Sequence, residues 1–438
     1  MPKRFFSMII FGTFIFSGLT GYSQEAKLRW EMKNQIRRDK FDIILPRAMR
    51  DNRIDMWIIV QKEGHLDPLY LELGQGYVTA PIGLIIFTDT GKGRIERAVL
   101  GIDGYEIEQC GAYDIFGPAS DLNKFVAERD PKRIGVNMSD ELGMADGLSH
   151  AGYEYLVRTL GKPYDSRLVS AEKLVSDFLY QRVSSEIAVF SEAGRISKEL
   201  AERALSNEVV VPGRTTLEDV AWWIKERLEE RRLEASFGLP SIYITGPEGI
   251  EATSNGRIIR PGDLIMIDWG VGLMGYYTDM KRIAYVLRPG EAAAPPGIQN
   301  AFERARAVRD VVRKNILPGR AGAETVEAVN RKLEEAGFAV MKEFNKPTAT
   351  DKTEVITGCH SVGSWGHGIG PSAAFFQVRQ MSYKIVPTTL LSVEFFAYTA
   401  APEWGGKKVR IPLEDDGVVT ERGIEWLYPV NEMILIIK

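Results

Sequence analysis

The sequence predicts an α+β protein built on a duplicated helix-helix-sheet unit, with a separate α/β domain ahead of it. Three observations predict this. From about residue 184, two amphipathic helical stretches run into strand-rich sequence, and the same succession returns about 110 residues later. Residues 25 to 180 instead mix buried apolar strands with helical segments. The composition, 45% hydrophobic and 26% charged over 438 residues, is that of a folded chain with room for two or three domains.

Residues 1–24 form a segment apart. Lys3 and Arg4 precede an uncharged apolar stretch from Phe5 to about Leu19, and small or polar residues follow at Gly21-Tyr22-Ser23-Gln24. This is the pattern of a secretory signal peptide cut near Ser23, which predicts a secreted or periplasmic protein. The apolar part falls short of the ~20 residues a membrane-spanning helix needs, so no stable anchor is expected after cleavage. The first cysteine is Cys110, which excludes a lipid on a cysteine at the cleavage site. Cleavage removes two positive charges and takes the net charge from −4 to −6. With basic residues dispersed, this argues against nucleic-acid binding. Two cysteines, Cys110 and Cys359, are too few for a disulfide framework or a zinc cluster and read as core thiols.

Residues 25–183 are expected to fold as the first domain. A charge-rich helical lead, Lys27 to Asn52, enters the buried strand Met56-Trp-Ile-Ile-Val60. A hairpin follows, Gly83 to Asp89, turn Thr90-Gly-Lys-Gly93, then Arg94 to Leu100. A short strand is read at Arg133 to Val136 and a helix at Ser149 to Leu160. Gly74-Gln-Gly76 lacks the third glycine of a dinucleotide loop, and no catalytic constellation is found in this domain. Residues 184–438 carry the duplication. Helices are predicted at about 184–206, 215–233 (capped by Thr215 or Thr216), 298–316 and 324–336. Strands fill 241–287 and the region from 389 to the C-terminus. The run Lys225 to Arg232 alternates in sign and reads as a solvated helix face.

The chemistry gathers in this second part. Leu264-Ile-Met-Ile-Asp268-Trp-Gly270 and Tyr276-Tyr-Thr-Asp279-Met-Lys-Arg-Ile-Ala284 read as a hairpin. A turn centred on Leu273-Met274 sets Asp268 directly opposite Asp279. Two acids so placed, one inside an apolar run, destabilise the sheet unless a cation lies between them. Glu394 interrupts the apolar strand Leu390-Leu-Ser-Val-Glu394-Phe-Phe396, Glu414 ends Val409-Arg-Ile-Pro-Leu-Glu414, and His367 lies in Trp365-Gly-His-Gly-Ile-Gly370. Singly, each could cap a turn or pair with a lysine. Together, four acids and one histidine point to metal, and the charges match two divalent ions. Oxygen-rich ligation with one imidazole suits Mn, Co, Fe or Zn.

Asp, ten residues, Asp, then Gly-His-Gly, then a strand Glu and a final Glu-Asp-Asp, in this order, resembles the pita-bread metallopeptidases. These comprise methionine aminopeptidase, aminopeptidase P, prolidase and creatinase. The resemblance covers about 184–438, and the domain ahead of it is similar to that of the creatinase and aminopeptidase P subgroup. It implies a pita-bread catalytic domain whose metal ligands are Asp268, Asp279, His367, Glu394 and Glu414. Asp279 and Glu414 would bridge two ions, and Glu394 would also handle the proton of the attacking water. The implied activity is release of the N-terminal residue of a peptide substrate, before proline, by a homodimer. Creatinases do not keep these ligands, so an amidinohydrolase is the least favoured reading.

The chain departs from that pattern in two ways. The family places a second histidine seven residues after the ligand histidine, and here that position is Ala374. The family also has a histidine upstream of the first aspartate, and Gly246 to Ile267 contains none. Tyr277 or His360 could supply the missing donor. The alternative is a metal-binding but catalytically impaired relative that acts as a binding module.

Overall fold

The computed structural model describes residues 24–438 apart from 92, 255, 349 and 365–367. The leader and His367 thus lie outside the described residues. No helix among those described is long and apolar enough to cross a membrane.

The N-terminal part is organised on a six-stranded mixed sheet. Its order is Ile115–Gly117, Ile95–Leu100, Gly83–Asp89, Met56–Gln61, Ile134–Val136 and Leu168–Ser170. The central strand Met56–Gln61 is buried along its whole length, and its side chains alternate between two cores. Trp57 and Ile59 point into one, with Phe41, Phe87 and Phe178. Met56, Ile58 and Val60 point into the other, with Leu84 and Ile86. A sheet covered on both faces requires such a continuous apolar run. The helical lead is two helices, Glu25–Ile43 and Leu45–Asp51, since Pro46 starts a new helix rather than continuing one. Cys110 and Cys359 are buried free thiols.

The C-terminal part shows the helix-helix-sheet succession twice. Helices Ser184–Ala204 and Leu217–Glu230 precede a five-stranded sheet of order Gly249–Glu251, Ser241–Gly246, Leu264–Trp269, Met280–Val286 and Leu435–Ile437. Thr216 caps the second helix in a reciprocal box with Asp219. Helices Pro296–Asn315 and Gly322–Glu335 precede the second large sheet, which includes Lys408–Leu413, Phe395–Ala400, Glu354–Ser361, Leu390–Ser392, Asp416–Thr420 and Gly423–Trp426. Tyr428, from the end of the chain, lies against the first of these helices at Gly194. A Cβ at Gly194 would come within 2.0 Å of the Tyr428 ring.

A buried ionic knot joins the two parts. Lys40 of the N-terminal helix and Arg182 each lie 3.1 Å from Glu186, and none of the three side chains is more than 1% exposed. Glu186 also accepts from the Val183 backbone N–H, and Arg182 donates to Ser364 Oγ at 2.9 Å.

The hairpin register differs from the sequence expectation. Asp268 lies opposite Lys281, and Leu273 pairs with Tyr276. The turn is therefore Met274-Gly275, both at positive φ (56° and 83°). A two-residue turn of this hand matches strand twist and favours glycine in its second place, whereas one centred on Leu273-Met274 forces a leucine to positive φ. The two-residue shift sets a lysine, rather than Asp279, directly opposite Asp268. Gly270, at the crossing of the two strands, is required by space: a Cβ there would fall 1.7 Å from the Thr278 carbonyl oxygen. Gly270→Ala is therefore expected to cost roughly 3 kcal/mol or more of stability, because backbone must move. Gly143→Ala, with no atom within 4 Å of the added methyl, should change it by less than about 0.5 kcal/mol. Urea unfolding of both variants checks this.

Candidate active site

Four of the five predicted site residues converge where the two large sheets meet. Asp268 comes from the strand Leu264–Trp269 and Asp279 immediately precedes Met280–Val286. Glu394 occupies the break between Leu390–Ser392 and Phe395–Ala400, and Glu414 the link from Lys408–Leu413 to Asp416–Thr420. The breaks matter chemically. In a continuous strand these acids would lie in the ladder between apolar neighbours; here the chain turns each one inward.

At the centre sits Lys281. Its Nζ lies 2.7 Å from Glu394 Oε1 and 3.1 Å from Asp268 Oδ2, and it contacts Glu414 Oε2. Sequence reading missed this residue. The signal was present in the Met274-Gly275 turn, whose register sets Lys281 across from Asp268. His360, on Glu354–Ser361, approaches from the other side, its Nε2 3.4 Å from Glu414 Oε1 and 3.8 Å from Asp279 Oδ2. Its Nδ1 lies 3.0 Å from the Ser361 carbonyl oxygen, and Ser392 Oγ donates to Glu414 Oε1 at 2.5 Å. Of the two stand-in donors considered from sequence, only His360 reaches the acids. The Tyr277 hydroxyl bonds Glu234 instead.

Burial and mutual charge separate the acids. Burial alone would raise Glu414, but Lys281 and His360 hold it down at about 2. Glu394 is pushed up to about 7 by burial and by the Glu414 charge, which together outweigh Lys281. Asp279 is driven well above the carboxylate range by burial and by the charges of Glu414 and Asp268. Burial opposes the Lys281 charge, yet the acids around it raise that lysine well above its ordinary value. Asp268, with a side chain 23% exposed, is the cluster's most open carboxylate.

A supporting layer fixes these groups. Asp416 Oδ2 accepts the Asp279 N–H at 3.1 Å and the Tyr428 hydroxyl at 3.0 Å. Asp415 pairs with Arg282 at 2.8 Å, both fully buried. Ala374 is buried on the short strand Ala373–Ala374, opposite Gly358. A Cβ at Gly358 would come within 2.8 Å of Glu394 Oε2 and 3.2 Å of the Phe376 ring, so the close packing there requires glycine.

The donor set suits a divalent ion. Asp279, His360 and Glu414 each present a ligand atom within 4.8 Å of the others, all three residues buried. Among the described residues, Asp279 Oδ1 is buried without a hydrogen-bond partner, a costly state that a cation would relieve. A cavity of about 780 Å³ opens between Thr245, Asn345, Tyr398 and Arg410. The Arg410 guanidinium lies 4.4 Å from the centre of the Phe396 ring, and Lys281 Nζ lies 5.7 Å from the same ring.

Comparison with known proteins agrees with this architecture. The chain is 23% identical over 336 residues to the uncharacterized peptidase YqhT of Bacillus subtilis, covering 75% of this chain and 80% of that one. The X-Pro aminopeptidase of Thermotoga maritima superposes with a TM-score of 0.62 at 16% identity, over 89% of this chain and 99% of that one. The Xaa-Pro dipeptidase of Bacillus anthracis gives 0.59 at 18% identity, over 93% and 99%. At such identities the likeness establishes a shared pita-bread fold with an N-terminal domain. The description of Metallopeptidase family M24 matches residues 188–421, more than half of the sequence. The chain belongs to metallopeptidase family M24.

Proposed function

We propose that this chain is an exported, metal-dependent aminopeptidase that releases the first residue of peptides, with Xaa-Pro bonds as its substrates. The observation that carries the reading is the convergence of Asp279, His360 and Glu414 on one buried point, with Glu394 beside them. A divalent ion there, of the Mn, Co, Fe or Zn class, would polarise a peptide carbonyl and lower the pKa of water. Asp279, His360 and Glu414 would hold it, with His367 the further ligand that the family resemblance implies. Glu394, raised to about 7, is poised to accept a proton at Oε2 and return it to the leaving nitrogen.

The cavity beside Arg410 has room for a short peptide. Lys407 and Arg410 on its wall would favour a peptide's carboxylate end. The Xaa-Pro substrates named for the structural relatives support the same choice. Export rests on the leader at residues 1–24, and the homodimer on the family resemblance.

Purified protein loaded with Mn²⁺ should release the N-terminal residue from Xaa-Pro peptides, and a chelator should abolish release. Ion bound without release from any such peptide would favour the binding-module reading. Glu394→Gln should lower kcat by about 10²-fold or more, measured by release of the free amino acid. N-terminal sequencing of protein recovered from the cell envelope or medium should begin near residue 24.

A further inference from the structure

Lys281 stands outside the ligand set that the family resemblance supplies, yet it is the most fully engaged charge of the cluster. Its side chain is 4% exposed and contacts Asp268, Glu394 and Glu414 together. The backbone fixes it there. Lys281 lies directly across from Asp268, and its N–H donates to the Glu414 carbonyl at 3.1 Å. The strand that carries the ammonium is thus tied to two of the acids the ammonium meets. We propose that this ammonium is a built-in cation that takes the place of one divalent ion. The cluster is then left with a single ion position, bounded by Asp279, His360 and Glu414. The inference rests on the reading that the cluster binds metal.

Glu414 shows the division most directly. Its Oε2 faces Lys281, while its Oε1 faces His360 and Ser392. The carboxylate bridges two positive positions, and one of them is already filled by a side chain. A divalent ion is held by carboxylate oxygens at about 2.0–2.2 Å. An ion using the Asp268, Glu394 and Glu414 oxygens that surround Nζ would compete for the ammonium's own place. If both were present, a single and a double positive charge would lie a few ångströms apart in a poorly screened interior. Among the described residues, the opposite side carries no such ammonium. There Asp279 Oδ1 is buried and has no hydrogen-bond partner among them, next to the imidazole and the second Glu414 oxygen. One ammonium and one divalent ion cancel three of the four carboxylate charges, so most of the compensation is supplied without a second metal.

Metal-free full-length protein, reconstituted with excess Mn²⁺ and passed through a desalting column, is assayed for manganese by elemental analysis and by electron paramagnetic resonance. The expected result is one ion per chain with the six-line signal of an isolated Mn²⁺. Lys281→Ala should rise to two ions with an exchange-coupled signal, and Lys281→Arg should stay at one. Two ions per wild-type chain would overturn the inference while leaving the metal reading intact, and so would a folded Lys281→Ala protein that still takes one. No bound ion in the wild type would overturn both. The wild-type stoichiometry decides the matter even if a variant fails to fold.

Discussion

Everything about this site follows from one electrostatic constraint: four carboxylates are pressed together at a sheet junction and require positive charge among them. Carboxylates taken from water without compensation cost several kcal/mol each. Lys281 supplies part of that compensation from within the chain. Because its ammonium holds Glu414 ionised while Glu394 and Asp279 are pushed upward, the cluster is graded from firmly charged to easily protonated. Such a gradient would let one carboxylate hold an ion while its neighbour carries a proton a few ångströms away.

The scaffold makes the grouping possible by interrupting its own strands. Glu394 and Glu414 sit at breaks, and Asp279 comes just ahead of a strand. The strands that carry them also pack into one shared apolar core, which includes Leu264, Met266, Ile283, Phe395, Ile411 and Leu413. This core excludes water and strengthens each charge contact. The ionic knot of Lys40, Arg182 and Glu186 extends the same strategy to the seam between the N-terminal and catalytic parts. There a single buried acid is shared by two cations from different segments.

Much of this was legible in the sequence, and the exceptions are physical. Long amphipathic helices announced themselves by period and caps. Thr216, one of the two caps expected, opens its helix, and the helix read from Ser149 begins at His150 with Ser149 as its cap. The converging acids were readable because Asp268, Glu394 and Glu414 interrupt or end apolar runs. What escaped was register. Pairing depends on which two residues make the turn, and the glycine of Met274-Gly275 decided it against the more symmetrical choice. That two-residue slip concealed Lys281, whose place follows only from knowing its cross-strand partner. His360 was legible only as a possible stand-in donor and not as a member of the acid cluster, because nothing local distinguishes a strand histidine aimed at a distant acid from one satisfied in a core.

Tyr428 draws a last consequence from the duplication. The ring lies on Gly194 of the opening helix of the first half, its hydroxyl steadies Asp416 of the second half, and Asp416 in turn holds the Asp279 amide. Each repeat thus borrows part of its scaffold from the other. Because the acids come from both halves, expressing one half alone would yield an incomplete socket rather than a smaller enzyme.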